Sequence, residues 1–277
     1  MISTSLKAAF RQLWKNKLFS MVNIVGLSAG LASVMALLVG VYMFITSDNM
    51  HRDKNRIYYL KTTSADGKEF NQTTYPLLDE ILKTCPEAEA GTHTQSWSRP
   101  WLKYDEKEVQ EKTLFVDTGF FRVFSFPLKY GDAATSLREK FSVVISAKVA
   151  SLLFGKENPV GKTITADDTL RLTVTGIVET IPANSSVRAE IFLTTALLKD
   201  FPGFSDASNW YNGFALNFLK LRPGSNIDVF DSKVTSLVTL SCLSGYAIVL
   251  RGPCSKPTRK IMPVGSRCNR TIHESGP

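Results

Sequence analysis

Histidine is scarce. The 277-residue chain has three, His51, His93 and His273, and no two of them are close in sequence. No HExxH helix, G-x-S-x-G elbow or CxxC pair occurs, so the local signatures of zinc hydrolases, serine hydrolases and zinc-binding modules are missing. Of the four cysteines (Cys85, Cys242, Cys254 and Cys268), three fall in the last part of the chain. Cys85 is alone in the body and reads as a small, half-buried residue, so the body does not depend on a disulfide framework. Asp105 and Glu106, and likewise Asp167 and Asp168, sit among turn-forming polar residues, where acids are solvated. The expectation is therefore no catalytic residue, no cofactor and no metal site. A membrane-tethered hydrolase built on His93 or on Asp167 and Asp168 is the least favoured reading.

Acidic charge is absent from residues 1–18, which carry Lys7, Arg11, Lys15 and Lys17. The net charge of +8 is otherwise concentrated in residues 241–277, which hold six basic residues against Glu274. The remainder has 23 basic and 24 acidic residues, so the body is neutral and offers no basic face for nucleic acid.

Charge of either sign is missing from residues 18–47, "LFSMVNIVGLSAGLASVMALLVGVYMFITS". About 20 apolar residues cross a bilayer, whereas a cleavable signal has a core of about 7–15. A retained transmembrane helix over 19–46 is expected. Lys7, Arg11, Lys15 and Lys17 just before it place the N-terminus in the cytoplasm and the rest outside. Phe10 and Trp14 share a helical face with Lys7 and Arg11, which fits either a short amphipathic helix on the inner surface or a solvated basic arm over residues 1–18. Gly26 and Gly30 form a GxxxG pair with Ser33 a turn on, a spacing that lets two membrane helices pack closely.

Beyond the apolar run, strands and helices interleave. "DNMHRDKN" suits a helical exit and "RIYYLKT" a strand. Residues 75–85 read as a helix ended by Pro86, with Leu77, Leu78, Ile81 and Leu82 as its buried stripe. Short strands follow around a turn at Asp105 and Glu106. Phe120, Phe121, Phe124 and Phe126 could line a ligand box, but a short helix turning them into the core is the better reading. "SAKVASLLF" reads as a helix with Val149, Leu152 and Leu153 on one face, "LRLTVTGIVETI" as a strand pair, and "NGFALNFLKLRPG" as a strand ending in a turn. The fold class expected is α+β, an N-terminal transmembrane helix followed by a body with a mixed or antiparallel sheet over 47–240.

One stretch, "LFGKENPVGKTI", imitates a phosphate-binding loop. That loop needs four residues between its first glycine and Gly-Lys-Thr, and here five separate Gly155 from Gly161. A helix also precedes the glycine where a strand is required, so no ATP site is expected.

In order along the chain, "FRQLWKNKLFSMVNIVGLSAGLA", "HRDKNRIYYL", "FVDTGFFRVFSFPLKYGD", "VVISAKVASLLFGKENPVGKTI" and "LTVTGIVETIPANSSV" resemble the start and the MacB-type periplasmic core domain of FtsX-like/MacB-type ABC transporter permeases. The resemblance spans most of residues 5–240. It implies that Asn158, Pro159 and Gly161 form a structural turn, and that ATP is hydrolysed by a separate cytoplasmic ABC ATPase subunit or domain. It further implies a dimer with a second permease copy, residence in the cell inner membrane, and a periplasmic body that moves substrates or partners, in some members with a periplasmic adaptor. Residues 241–277 depart from the pattern. Rich in Cys, Pro, Gly and Arg and without a spanning run, they read as an atypical tail, disordered or frame-shifted in a truncated chain, or else as a basic tail for lipid headgroups or acidic partners. The competing function is a single-pass anchored binding or scaffold module that acts without ATP.

Overall fold

The computed structural model describes residues 14–46, 48–64, 68–97, 99–179, 181–182, 185, 187–200, 214–240 and 246–251. Lys7, Phe10, Arg11, Cys242, Cys254, Cys268 and His273 lie outside the described residues. The chain divides into two compact units, Met1–Ser47 and Asp48–Pro277.

The first unit holds α1, Lys17–Ile45, 29 residues that take in most of the uncharged run and start one residue before it, at Lys17. At 1.5 Å per residue it is about 44 Å long, more than the ~30 Å hydrocarbon core of a bilayer. It has no buried residue, and Leu18, Leu27, Leu37 and Ile45 are all at least two-thirds exposed. Among the described residues it is the one helix long and apolar enough to span a membrane.

The second unit is an α+β body. Its strands are β1 (Ile57–Ser64), β2 (Glu69–Phe70), β3 (Thr73–Thr74), β4 (Ala88–Trp97), β5 (Trp101–Tyr104), β6 (Lys107–Gln110), β7 (Thr113–Val116), β8 (Leu128–Tyr130), β9 (Ser142–Ser146), β10 (Thr163–Ala166), β11 (Leu170–Val178), β12 (Ile191–Thr194), β13 (Phe214–Leu221) and β14 (Tyr246–Arg251). The helices are α2 (Tyr75–Thr84), α3 (Phe120–Val123), α4 (Ala147–Phe154) and α5 (Ile227–Leu240). Among the described residues these strands form one sheet in the order β14-β1-β13-β4-β7-β12-β9-β11-β10-β5-β6, with β2, β3 and β8 off the path. Two pairs, β7 with β12 and β9 with β11, are parallel and the rest antiparallel, so the sheet is mixed.

Alternation along the central strands builds two cores. Val143 and Ile145 of β9 and Ile191 and Leu193 of β12 join α4 residues Val149 and Leu153 on one face. Val144 and Phe192 point the other way, to Phe120, Phe121, Phe124 and Phe126. All five β9 residues, Ser142 to Ser146, are buried, as suits a strand covered on both faces. A third core sets Leu77, Leu78 and Ile81 of α2 against Leu60, Leu219, Phe230 and Val234.

Five expectations need correction. Leu82, expected in the buried stripe of α2, is exposed, because the inward face of that helix runs through Leu77, Leu78 and Ile81. Leu152 points outward and is 51 % exposed, because the buried face of α4 runs through Val149, Ala150, Leu153 and Phe154. Residues 170–178 form the single strand β11, which absorbs its irregularity as a register shift between Val174 and Gly176 rather than by turning back. The polar exit after α1 contains turns and one 3-10 turn, Lys54–Arg56, in place of a helix. Cys85 is fully buried, not half-buried, since it ends α2 inside the third core. In the tail for which disorder is expected, Tyr246–Arg251 pairs antiparallel with β1, consistent with the β-forming run Ile248, Val249, Leu250.

Candidate functional site

The features that bear on function are the apolar span, the segment that enters the body behind it, and the turn that imitates a phosphate loop. Within the span, a methyl group added at Gly26 or Gly30 would meet nothing within 4 Å. Ser33 Oγ donates to the Ala29 carbonyl at 2.9 Å, satisfying its hydroxyl within the helix. Before the span, Trp14 and Lys15 are helical and exposed, a turn at Asn16 separates them from α1, and the Lys17 ammonium lies 5.0 Å from the centre of the Trp14 ring. Tryptophan paired with lysine at the end of an apolar helix suits the headgroup layer.

Residues 48–56 are held to the body by side chains. Asp48 takes a left-handed φ of 58°, and the N–H of His51 donates to its carbonyl at 3.1 Å. The His51 ring is buried 5.2 Å from Phe124 and 4.9 Å from Phe126, with the Ser125 N–H donating to its Nδ1 at 3.2 Å. Burial pushes the His51 pKa down against the opposing pull of Asp48. An accepted bond at Nδ1 places the proton of the neutral ring on Nε2.

A closed ring of four charges follows. Arg56 reaches Asp53 at 2.6 Å and Glu89 at 2.5 Å, and Lys220 reaches the same two carboxylates at 2.7 and 3.1 Å. Arg56 also donates to the Leu221 carbonyl at 2.7 Å. Hydrogen bonds from Lys220 and then Arg56 hold the Asp53 carboxyl below its ordinary range. The ring ties the start of β1 to β4 and β13. No sequence signal announces it, because Glu89 and Lys220 are distant along the chain from the Asp53 and Arg56 pair and each alone reads as a solvated charge. Lys220→Met keeps the stem but leaves two carboxylates facing one guanidinium, and should cost about 1–2 kcal/mol in chemical denaturation of the full chain. Loss of less than a few tenths would show the ring to be no more than a surface feature.

Asn158, Pro159 and Gly161 lie between α4 and β10. Gly155 caps α4 with φ +65°, Asn158 Oδ1 accepts the Val160 N–H at 3.1 Å, and Gly161 adopts φ +85°. The Gly161 N–H donates to the Val174 carbonyl at 2.8 Å, and Val174 N–H returns a bond to Lys162. Of the backbone donors that would have to face a phosphate, the Gly161 N–H is thus spent on β11, while the Lys162 N–H goes to the Pro159 carbonyl and the Val160 N–H to Asn158. The Lys162 ammonium pairs with Glu157 and lies 5.2 Å from the Tyr104 ring centre and 5.4 Å from that of Phe154.

The residues considered for hydrolysis are kept apart. Asp167 and Asp168 make the β10–β11 turn with φ of 46° and 58°. Asp167 accepts the Trp101 N–H at 2.8 Å, and Asp168 pairs with Lys103 at 2.8 Å. His93 lies in β4, five strands from β10, about 24 Å at the usual spacing. Among the described residues no three His, Cys, Asp or Glu side chains are grouped to hold a metal.

Comparisons with known proteins agree with this geometry. The profile of the MacB-like periplasmic core domain matches residues 20–237. Among solved structures, a permease-protein domain from Porphyromonas gingivalis superposes with TM-score 0.63 at 22 % identity, over 75 % of this chain and 95 % of that one. The extracellular domain of the noncanonic ABC-type transporter YknZ from Gram-positive bacteria gives 0.53 at 16 %, over 70 % and 99 %. The periplasmic region of MacB from Actinobacillus actinomycetemcomitans gives 0.53 at 16 %, over 72 % and 90 %. At these identities the structures establish a shared fold. No curated protein matches the sequence.

Proposed function

Because the chain belongs to the MacB-like periplasmic core domain family of ABC transporter permeases, we propose that it couples ATP hydrolysis by a cytoplasmic partner to movement of an extracytoplasmic body. That movement would serve export or the control of partners on the far side. The observation that carries the reading is the match itself, which begins at residue 20 inside α1 and runs through the body, so that span and body belong to one family unit.

Physical features support the finer points. Lys15 stands before α1 and Lys17 at its first residue, ahead of the uncharged run, with Lys7 and Arg11 further upstream, which favours a cytoplasmic N-terminus and a periplasmic body. Gly26, Gly30 and Ser33 give α1 a small-residue face on which a second permease copy can pack. The family is one of permease components rather than catalysts, and the Gly-Lys-Thr of this chain is committed to its own sheet. ATP chemistry is therefore assigned to a separate ABC ATPase.

The test is purification of the tagged full chain from cross-linked, detergent-solubilised membranes of its own cells. A cytoplasmic ABC ATPase should be recovered with it. Recovery without any ATPase would contradict the proposal and favour an anchored binding or scaffold module.

A further inference from the structure

Hydrogen-bond accounting around His93 determines a charge that the sequence does not announce. His93 is 8 % exposed in β4, with β13 on one side and α2 above. Its Nδ1 lies 2.8 Å from Asn217 Oδ1, and its Nε2 lies 3.3 Å from Asp79 Oδ1. The orientation of the Asn217 amide is settled by its other end. The nitrogen sits 3.0 Å from the Thr74 carbonyl, 3.3 Å from the Thr73 carbonyl and 2.7 Å from Thr73 Oγ1. Carbonyls only accept, so the amide nitrogen must face them and the amide oxygen must face His93. An oxygen at 2.8 Å requires a proton on Nδ1.

At the other ring nitrogen stands a carboxylate. The Asp79 side chain is 56 % exposed, so water solvates its charge, and the His93 hydrogen bond lowers its pKa further. An ionised Asp79 requires a proton on Nε2 as well. We infer that His93 is a buried imidazolium cation that ties Asp79 of α2 to the sheet and releases that contact as the pH rises. Nδ1–H orients Asn217, which in turn holds the Thr73 and Thr74 carbonyls where α2 begins. Nε2–H holds Asp79, one turn into the helix.

The surrounding charges agree. From the segment after β7, Asp117 accepts the His93 backbone N–H at 2.8 Å and adds negative potential. From α2, the Tyr75 ring lies 4.8 Å away with its face tilted toward the imidazole, a favourable arrangement for a cation. Lys83, also on α2, acts on Asp79 and not directly on the ring. Burial pulls the His93 pKa down, but Asp79, Asp117 and Asn217 together outweigh it and leave the value raised above 6.5.

A histidine with a raised folded pKa contributes stability that is fully present below about 6.5, the unfolded value, and is lost as pH climbs through the folded value. Deprotonation at Nε2 would turn a lone pair toward a carboxylate, and Asp79, already half in water, would swing out. The release concerns the Asp79 contact alone, since Leu77, Leu78 and Ile81 keep the inner face of α2 in the core.

The experiment is a nitrogen-15 NMR titration of the full chain in detergent micelles, labelled at histidine. Three histidines give few signals, and His93→Gln assigns the one in question. Both ring nitrogens of His93 should be protonated at pH 6.5, and the midpoint should lie above 6.5. Asp79→Asn, which leaves the apolar face of α2 intact, should weaken proton binding about tenfold, as expected for loss of one carboxylate at hydrogen-bond distance. A nitrogen found unprotonated at pH 6, or a midpoint unmoved in Asp79→Asn, would overturn the inference. Neither outcome depends on whether an ATPase is bound, so this test and the transport reading fail separately.

Discussion

Gly119→Ala is expected to destabilise the body by about 3 kcal/mol or more, beyond the usual range for overpacking because the obstacle is backbone. Gly119 has φ −75° and ψ −19°, a conformation open to any residue, so backbone strain contributes nothing. Space is the whole argument. A β-carbon there would lie 2.1 Å from the Gly91 carbonyl oxygen and 3.0 Å from Asp117 Oδ1. Gly91 is locked into β4 opposite Leu219 of β13, and its own position is crowded by the Leu78 side chain. Relief therefore means lifting α3 off the sheet, which withdraws Phe120 and Phe121 from their core. Gly161→Ala is the contrast: nothing lies within 4 Å of its added carbon, and only its positive φ, +85°, opposes the change, at about 1–2 kcal/mol. Chemical denaturation of the two variants beside the parent chain checks the prediction. Equal losses would mean that the approach of α3 to β4 is looser than the structure shows.

Phe120→Ala carries the other large effect, a loss of about 3–5 kcal/mol. Phe120 is completely buried. Its ring centre lies 5.2 Å from Phe121, 5.0 Å from Phe124 and 5.2 Å from Phe192, and it stacks on Phe126 at 5.8 Å with an 11° interplanar angle. Truncation removes these contacts at once, and the cavity cannot collapse while β12 and α3 hold the remaining rings apart. The exposed Leu152 is the control, and Leu152→Ala should stay within about 0.5 kcal/mol. A small loss at Phe120, with an aromatic compound bound in its place, would instead indicate a ligand box.

The cluster of four phenylalanines was legible in the sequence because local density suffices: a short helix followed by alternating Phe residues has one economical place to put them. The same holds for α1 and for three of the four residues expected in the α2 stripe, Leu77, Leu78 and Ile81, whereas Leu82 lies outside it. Pairing across the sheet was not legible. That β7 runs parallel to β12, or that β9 lies between β12 and β11, depends on contacts tens of residues apart that no local pattern encodes. The charge ring of Asp53, Arg56, Glu89 and Lys220, and the setting of His93 between Asp79 and Asn217, were hidden for the same reason. Each residue alone reads as ordinary, and chemistry emerges only when β13 is laid beside β1 and β4. Leu152 shows the limit within one helix, where a run of apolar residues is wider than the face that the core accepts.

The most direct test of the whole account is the fate of α1 in the cell. The full chain, expressed and fractionated, should pellet with membranes, resist extraction by alkaline carbonate, enter solution only with detergent, and retain residues 17–45 by intact mass. A product that stays dissolved in plain buffer without affinity for lipid vesicles, or one cleaved after its apolar run, would contradict a permease tethered by its first helix.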